Sequence, residues 1–298
     1  MRSFTALVNP LSGGGSAALK WEPLEWQLQR AGAEVKVVLT RSREHAVSAA
    51  AKAADAGDVV VAVGGDGLVR DVATGVVPVG GTMAIVPAGR GNDLAAGLDL
   101  PSDHAALGEL LLNGPVRRLD VLAANGVFVP GNVYTGLDAV ATKIINENRR
   151  VPAKLLYRLA PVIALARWRP VRFTVTTDGA DGMGGATTTE RGHMVVVANS
   201  GRYGHGLHIV PTAVLDDGRL DVLAVRAVPK YKIAAFMGET KTGEHAKRPE
   251  VRLSRGTTVT ISADRPVPVC ADGDDIGMLP VTVSLRPGAL NLIAPRSH

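Results

Sequence analysis

The sequence predicts a two-domain α+β protein. An α/β domain with a parallel sheet and glycine-rich turns comes first, and a mainly antiparallel, β-sandwich-like domain follows. Up to about residue 125, apolar runs of strand length alternate with Ala-rich and Leu-rich helical segments, whereas β-type runs bounded by Gly, Asp and Pro dominate afterwards. A length of 298 residues with 46% apolar content is enough for two cores, so we place the domains at 1–125 and 126–288.

Strand and helix patterns alternate regularly in the first domain. This alternation is typical of a parallel sheet with helices on its faces. The predicted strands are Phe4 to Val8, Glu34 to Leu39, Val59 to Val63 and Met83 to Val86, and the predicted helices are Ala17 to Ala31, Glu44 to Ala56 and Leu68 to Val76.

The second domain shows strand patterns of antiparallel type, such as VRFTVTT, HMVVVAN and LDVLAV. Two segments interrupt them with helical character, Ala139 to Arg169 and Lys230 to Thr242. We therefore expect a β-rich second domain that carries a small number of helices on its surface.

Charge and cysteine content narrow the class of protein. Thirty-three Lys and Arg against 28 Asp and Glu give a net charge of +5, which fits either an anionic surface as partner or solubility alone. The single Cys270 excludes an intramolecular disulfide and favours a reducing compartment. The first residues lack the apolar segment of a signal peptide, and no apolar run is long enough to span a bilayer. These features predict a cytoplasmic protein, and its unclustered aromatic residues argue against nucleic-acid binding.

Three glycine-rich turns follow predicted strands: NPLSGGGSA at 9–17, GGDG at 64–67 and PAGRGND at 87–93. In a parallel sheet such turns gather at one edge, where open α/β folds bind their ligands. Backbone N–H groups in glycine turns can cradle phosphate, although each turn alone could equally be a flexible connection. Their clustering predicts a phosphate-binding edge.

Six motifs carry a resemblance to a known family. They are VNPLSGGG, VGGDGLVRDV, VPAGRGNDLA, RRLDV, ANSGRYGHGLHIVPTAVLDDGRLDV and ADGDDIG. In the same order and over nearly the whole chain, these motifs resemble those of the bacterial diacylglycerol kinase-like lipid kinases, a family that also includes the sphingosine kinase catalytic domains. GGDG alone also occurs in NAD kinases, so the ordered set is the specific feature. The resemblance implies an ATP site in the cleft between the domains and a last strand, near 289–294, that returns to the first domain.

The same resemblance implies residues for the nucleotide site. Asp66 would be catalytic and would help to hold Mg²⁺ against the triphosphate. An Asx-type turn, in which the side chain bonds to its own backbone, is the alternative for this residue. The further nucleotide contacts implied are Asn9, Pro10, Leu11, Ser12, Gly13, Thr40, Gly65, Gly67, Leu68, Val69, Arg70, Asp71 and Arg90.

Four of these positions depart from the family pattern. The family usually has Thr, Asn and Glu where this chain has Leu68, Arg70 and Asp71, and Thr where it has Arg90. The loss of two hydroxyl groups removes phosphate hydrogen bonds, whereas the two arginines could supply charge-assisted replacements. A catalytically impaired relative that binds nucleotide or lipid is therefore an alternative to an active kinase.

Acidic residues of the second half fall in two motifs. In LDDGRLDV the resemblance implies a structural Mg²⁺ on Asp217 and the carbonyls of Val214 and Arg219, with Asp120 linked through water. A plain hairpin turn is the alternative. In ADGDDIG, Asp272 matches the first acid of the family pattern Asp-Gly-Glu, and Asp274 replaces the Glu assigned as proton acceptor. We name Asp274 as the base and Asp272 as its partner, with their order open and a polar hairpin tip as the alternative.

The acceptor lipid would reach the site from a membrane surface. The segment from Lys143 to Arg172 has the basic, amphipathic composition of a surface-seeking helix, although a helix packed on the second domain with a solvated basic face fits equally well. We expect peripheral contact with the anionic inner face of the membrane. The resemblance favours diacylglycerol as the acceptor, and other hydroxylated lipids are alternatives. A homodimer is also possible. The competing classes of protein are an NAD kinase and a non-catalytic lipid- or nucleotide-binding protein. The basic residues of the segment include Arg149, Arg150, Lys154, Arg158, Arg167 and Arg169, and its aromatic residues are Tyr157 and Trp168.

Overall fold

One continuous hydrogen-bonded sheet runs through both halves of the chain. The computed structural model describes residues 2–148, 153–179, 185–204 and 206–296. Its strands are β1 (Phe4–Val8), β2 (Val35–Leu39), β3 (Val59–Gly64), β4 (Thr82–Pro87), β5 (Val116–Ala124), β6 (Val127–Val129), β7 (Asn132–Gly136), β8 (Val171–Thr177), β9 (Ala186–Ala198), β10 (Leu220–Arg226), β11 (Val251–Gly256), β12 (Thr258–Ala263), β13 (Pro268–Ala271), β14 (Asp274–Met278) and β15 (Val281–Ile293).

The helices lie mainly between the strands of the first half and on the surface of the second. They are α1 (Ala17–Arg30), α2 (Arg43–Asp55), α3 (Asp66–Val76), α4 (Asp93–Gly97), α5 (His104–Asn113), α6 (Leu137–Glu147), α7 (Ala153–Arg167) and α8 (Lys230–Glu239). Short 3-10 turns occur at Ser12–Gly14, Val77–Val79 and Glu244–Lys247. The single helical segment expected from Ala139 to Arg169 is thus two helices, α6 and α7.

The first half is a parallel sheet in the order β2, β1, β3, β4. Its central strand explains the apolar run at 59–63, because both faces of the strand are covered. Val60 and Ala62 lie in one hydrophobic core, and Val59, Val61 and Val63 lie in the core on the opposite face. A strand buried on both sides reads as a continuous apolar run, as parallel sheets require.

The second half is antiparallel. Strands β7, β8, β9, β10, β12 and β13 pair with antiparallel neighbours and enclose a separate core that includes Phe173, Val196 and Val222. Together with the parallel first half, this arrangement confirms the predicted fold class.

Strand β15 connects the two halves physically. Its first part pairs with β12 from Val281 to Ser284, and its end runs parallel to β4 at Asn291 and Leu292. The strand therefore begins in the antiparallel part and ends beside the parallel sheet, where Leu290, Leu292 and Ala294 join the core of the first half.

The segment from Lys143 to Arg172 contributes α6 and α7. Arg149 and Arg150, and the side chains of Lys154 and Tyr157, lie outside the described residues. Within the part of the chain that the structure describes, no helix combines the length and the apolarity needed to cross a bilayer.

Candidate active site

The three glycine turns meet at the carboxyl ends of β1, β3 and β4, which are neighbours in the parallel sheet. They touch so closely that side chains are excluded. A Cβ atom on Gly65 would lie 3.1 Å from the Cα atom of Gly89, and one on Gly13 would lie 2.6 Å from the carbonyl oxygen of Ala88. Gly13 also has a φ of 60°, in the left-handed region that favours glycine. The turns therefore pack backbone against backbone, while Gly65, Gly67 and Gly89 stay partly exposed at this edge, where backbone N–H groups can bind phosphate.

Asp66 joins the second turn to the third. It is the first residue of α3, and its carboxylate accepts hydrogen bonds from the backbone N–H groups of Asn92, at 2.8 Å, and Asp93, at 2.9 Å. These donors belong to the PAGRGND turn, so the side chain does more than close its own turn. The pKa of Asp66 is raised to about 6, first by burial and then by the charge of Asp93, against the opposing effect of the N–H donors.

Asp93 is a site residue that the sequence reasoning missed. Its Oδ1 accepts a hydrogen bond from the N–H of Gly206 at 2.7 Å, which ties the third turn to the second half of the chain. A Cβ atom on Gly91 would lie 2.8 Å from Oδ2 of Asp66 and 3.3 Å from Oδ2 of Asp93, so the two carboxylates flank this glycine. An acid placed directly after a strand-end glycine turn was the available signal.

The first turn and the end of β2 form the rest of this edge. Oδ1 of Asn9 accepts a hydrogen bond from the N–H of Leu11 at 3.0 Å, which shapes the turn. Thr40 donates from its backbone N–H to the carbonyl of Val8 at 2.9 Å, so it lies beside the end of β1. Leu11 is 84% exposed, and Pro10 and Ser12 complete the turn. The structure thus brings the predicted first-turn residues and Thr40 to one edge.

The ADGDD segment faces the glycine turns from the other half of the chain. Asp272 has a φ of 44°, and its carboxylate accepts hydrogen bonds from the N–H groups of Asn132, at 2.8 Å, and Gly131, at 3.2 Å. The pKa of Asp272 is raised to about 7, chiefly by burial. The nearby Asp66 adds to this rise, whereas the N–H donors and Arg70 oppose it. Asp272 is therefore a buried carboxyl that is held in place by backbone donors.

Asp274 lies closer to the glycine turn and to solvent. A Cβ atom on Gly67 would lie 2.7 Å from its Oδ2, and its side chain remains 36% exposed. Because Asp274 sits over the GGDG turn while part of it stays open to solvent, a substrate hydroxyl can approach it. Asp272 is enclosed by comparison.

Arg70 connects these two parts from inside the protein. Its side chain is 1% exposed, and its guanidinium donates to Oδ1 of Asp71 at 2.7 Å and to the carbonyl of Ala271 at 2.9 Å. The guanidinium also forms an ion pair with Oδ2 of Asp274 at 3.1 Å. Burial disfavours the charged guanidinium, but the carboxylates of Asp71 and Asp274 outweigh this effect and raise the pKa of Arg70. The guanidinium therefore contacts acids and a carbonyl, where we had expected it to meet a phosphate.

The remaining predicted nucleotide contacts divide into buried and exposed residues. Leu68 and Val69 are buried, and their side chains belong to the core beneath α3. Arg90 is exposed at the tip of the third turn. Asp71 is buried and accepts hydrogen bonds from Arg70 and from Arg43, the latter at 3.2 Å.

The second acidic motif is held by backbone donors. Asp120 accepts hydrogen bonds from the N–H groups of Gly218 and Gly288, each at 2.7 Å, and Oδ1 of Asp217 accepts one from the N–H of Arg219 at 3.0 Å. Val214 is 47% exposed. Among the described residues, no three acidic, His or Cys side chains converge as a metal-binding group. Asp120 and Asp217 are thus neighbours held by backbone donors.

Comparison with known proteins agrees with this geometry. Residues 3–124 match the model of the diacylglycerol kinase catalytic domain, and residues 131–294 match that of the YegS C-terminal NAD kinase beta sandwich-like domain. The diacylglycerol kinase of Mycobacterium tuberculosis is 29% identical over 98% of this chain and 95% of its own length. That of Bacillus subtilis is 24% identical over 94% of this chain and 92% of its own length.

A solved structure shares the whole fold. The crystal structure of a diacylglycerol kinase from Bacillus anthracis matches 98% of this chain and 97% of its own, with a TM-score of 0.80 at 21% identity. The two domain models together cover both halves of the chain, and the second alone covers more than half of it. The predicted resemblance is confirmed, and the chain belongs to the bacterial diacylglycerol kinase-like family of lipid kinases.

Proposed function

We propose that this protein is an ATP-dependent kinase that transfers the γ-phosphoryl group to the hydroxyl of a membrane lipid, with diacylglycerol as acceptor and phosphatidic acid as product. One observation carries the proposal: the glycine turns of the first half, which can bind phosphate, lie next to an acidic pair from the second half. That pair is Asp272 and Asp274, and Asp274 is next to Gly67 of the GGDG turn. Phosphoryl transfer needs this combination of nucleotide positioning and a base for the acceptor. The relatives named diacylglycerol kinase support the choice of acceptor.

The triphosphate would bind over the glycine turns. Gly65 and Gly89 carry no side chain, so phosphate oxygens can approach the backbone and the N-terminus of α3. Asn9 and Thr40 would line the same edge of the sheet. Arg90 is exposed at the tip of the third turn and can supply a charge-assisted contact to a phosphate.

Asp66 and Asp93 fit a Mg²⁺ ion that accompanies ATP. Burial and the charge of Asp93 both raise the pKa of Asp66, so a cation between these carboxylates would favour their ionised forms. Bound there, Mg²⁺ would neutralise charge on the transferring phosphoryl group. The protein's own contribution is to fix the Asp66 carboxylate through the N–H groups of the third turn.

A structural Mg²⁺ at Asp217, with the carbonyls of Val214 and Arg219, is part of the same proposal. Burial raises the pKa of Asp217, and the charges of Asp221 and Asp120 add to this rise. In the described part of the chain, Oδ2 of the buried Asp221 has no hydrogen-bond partner. Arg255 pairs with Oδ1 of Asp221 at 2.9 Å and offsets part of this negative charge. A cation would offset the remainder, and carboxylate and carbonyl oxygens are the ligands that Mg²⁺ prefers.

Asp274 would accept the proton of the lipid hydroxyl. Its position over the GGDG turn places it between the nucleotide edge and solvent, and its partial exposure leaves room for the acceptor. Asp272 would hold the turn in shape, because its carboxylate is tied to the backbone of Gly131 and Asn132.

The acceptor assay tests the proposed function. We expect the purified protein with ATP and Mg²⁺ to phosphorylate diacylglycerol in mixed vesicles and to show little ATP turnover with NAD or without acceptor. ATP turnover with NAD as acceptor, and not with diacylglycerol, would instead identify an NAD kinase. Binding of ATP or lipid without turnover would identify a non-catalytic relative. Parallel reactions without Mg²⁺ test the cation requirement, and a panel of other hydroxylated lipids tests the acceptor.

An exposed apolar stripe on α7 is a surface through which the enzyme would reach its lipid. Leu155, Leu159 and Val162 are 50%, 43% and 63% exposed and follow one another at i, i+4 and i+7, so they share one face of the helix. The opposite face packs into the core, as shown by the buried Leu156 and Ala160. Apolar residues on the outward face of a surface helix are a feature of interfacial helices.

Basic residues surround this stripe, and α8 extends it. Arg158 and Arg167 are exposed on α7, and Arg169 is exposed just beyond it. Lys230 at the start of α8 donates to the carbonyl of Ala166 at 2.6 Å, and the neighbouring Tyr231 is 71% exposed. Cations around an apolar stripe complement an anionic bilayer, so we propose that α7 docks on the inner face of the membrane.

Charge in the stripe should abolish docking. We expect the Leu159→Glu and Val162→Glu double variant to lose at least about tenfold in partition onto phosphatidylserine-containing vesicles, because it removes apolar burial and adds repulsion. Sedimentation with the vesicles measures this effect. Turnover of a soluble short-chain diacylglycerol should stay near that of the parent.

The matched control is Leu19→Glu, since Leu19 is 71% exposed on α1 in the first half of the chain. Unchanged sedimentation of the α7 variant would contradict docking through this stripe. Light scattering provides the other outcome: a parent dimer that the α7 variant converts to monomer would make the stripe a contact between two copies.

A further inference from the structure

Arg70 presents a feature that the proposed reaction does not use. A guanidinium that is 1% exposed has lost its hydration, and such a charge is retained only when partners replace the lost water. Here the partners come from two places. Asp71 is the next residue in the same helix, whereas Ala271 and Asp274 are about 200 positions further along the chain, as their numbering shows. The side chain therefore spans the boundary between the nucleotide half and the acidic segment.

The geometry of the contacts fixes the direction of the guanidinium. Its Nε and Nη2 both donate to Oδ1 of Asp71, at 3.2 and 2.7 Å, while Nη1 donates to the carbonyl of Ala271 at 2.9 Å. With three contacts set, the planar group presents Nη2 to Oδ2 of Asp274 at 3.1 Å. Oδ1 of Asp71 also accepts a hydrogen bond from Nε of Arg43, on α2, at 3.2 Å.

The contact to Asp274 acts on the oxygen that faces the nucleotide turn. Oδ2 is also the atom that a Cβ on Gly67 would meet at 2.7 Å. The buried Arg70 therefore holds Asp274 against the GGDG turn, while 36% of the Asp274 side chain remains exposed to solvent. A carboxylate fixed in this way keeps one rotamer, which a base needs when it must meet a hydroxyl within hydrogen-bonding distance.

The reach of the arginine side chain makes the contact possible. Arg70 belongs to α3 and Asp274 to β14, and the guanidinium spans the distance between them to form the 3.1 Å ion pair. A planar fork with several donors suits this task better than a lysine.

We propose that Arg70 is a positioning residue for Asp274: it orients the carboxylate over the GGDG turn, and the two residues work as a matched pair. The proposal rests on the proposed kinase function. The proposal differs from the sequence expectation in the kinetic constant that Arg70 affects. A positioning residue affects kcat, whereas a phosphate contact would affect the affinity for ATP.

The test is a double-mutant cycle in the diacylglycerol assay, using the parent, Arg70→Asn, Asp274→Glu and Arg70→Asn/Asp274→Glu. We expect Arg70→Asn alone to lower kcat by at least about tenfold with the KM for ATP nearly unchanged, the pattern of a lost transition-state interaction. The double variant, which restores the family pair, should recover most of this loss, so the effects of the two changes should be non-additive.

Arg43→Gln is the matched control, because it removes another ion pair to Asp71 and leaves the contact between Arg70 and Asp274 in place. We expect its kcat to be close to that of the parent. Should Arg70→Asn fail to fold, Arg70→Lys takes its place, because it keeps the charge without the planar fork. Its kcat should lie below that of the parent with the KM for ATP nearly unchanged, and a kcat equal to that of the parent would contradict the positioning role. Folding of each variant is checked by its melting temperature.

Three results separate the possible failures. An inactive parent with every acceptor overturns the proposed function itself. An active parent whose Arg70 variants change only the KM for ATP assigns Arg70 to the nucleotide and overturns the positioning role. Additive losses in the double variant, with no recovery, overturn the matched pair.

Discussion

Asp274→Asn should lower kcat for diacylglycerol by about 10² to 10⁴-fold, the usual contribution of a positioned general base. The asparagine has nearly the same shape but accepts no proton at neutral pH. Its neighbours, Gly67 and Arg70, remain in place, so ATP and lipid should bind with nearly unchanged Michaelis constants. Steady-state kinetics with each substrate varied in the vesicle assay give both quantities.

Asp274→Glu provides the matched comparison, because it restores the family residue and its longer reach. This variant should keep activity, in contrast to the asparagine. Asp272→Asn separates the two acids: its carboxylate supports the backbone of Gly131 and Asn132, so a lowered melting temperature should accompany its loss of activity. If Asp274→Asn turns over diacylglycerol as fast as the parent, the base is another residue, with Asp272 and Asp66 the next to test.

Asp66→Asn is expected to reduce phosphoryl transfer by about 10³-fold, because several kcal/mol of charge stabilisation depend on the carboxylate that would hold Mg²⁺. Its melting temperature near pH 8 should change little, because two effects oppose each other. The pKa of Asp66 is raised to about 6, chiefly by burial, so the stability that the neutral carboxyl contributes below pH 3.8 is lost as the pH rises through 6, and a neutral amide avoids that loss. The amide, however, gives up one of the two oxygens that accept the N–H groups of Asn92 and Asp93.

Turnover, the apparent affinity for Mg²⁺ and thermal melting measured on the same preparation test this expectation. Glu244→Gln serves as the control, since Glu244 is a surface acid paired with Lys247 at 2.8 Å. Near-normal turnover of Asp66→Asn would leave the carboxylate with the role seen directly in the structure, the joining of two turns through the N–H groups of Asn92 and Asp93.

Local pattern was enough to predict much of the fold. The run from Val59 to Val63 indicated a strand covered on both faces, and both faces are indeed packed into separate cores. The glycine turns after successive strands indicated a common edge, since parallel strands end on the same side of a sheet. These inferences depend on residues near one another in sequence, which is why the sequence carries them.

Arg70 has contacts that local pattern does not predict. Next to a glycine turn, an arginine in place of a polar residue reads as a phosphate contact. Its partners Ala271 and Asp274, however, reach it from the far end of the chain, and only the paired strands β13 and β14 bring them there. Asp93 is similar, because its importance comes from the position of Asp66 and Gly206 around it.

The sequence by itself determined the alternation of β1 to β4 with α1 to α3, the family and the positions of the glycine turns, because alternation, turn residues and motif order are local properties of the chain. Tertiary structure alone decided which groups meet: β15 joins the antiparallel part to β4, and Arg70 turns inward toward Asp274. The physical reason is the cost of burying charge. A guanidinium buried between two packed halves is stable only when carboxylates or carbonyls replace its lost water. Here Ala271 and Asp274 are far from Arg70 in sequence, so no short stretch of sequence predicts them as partners.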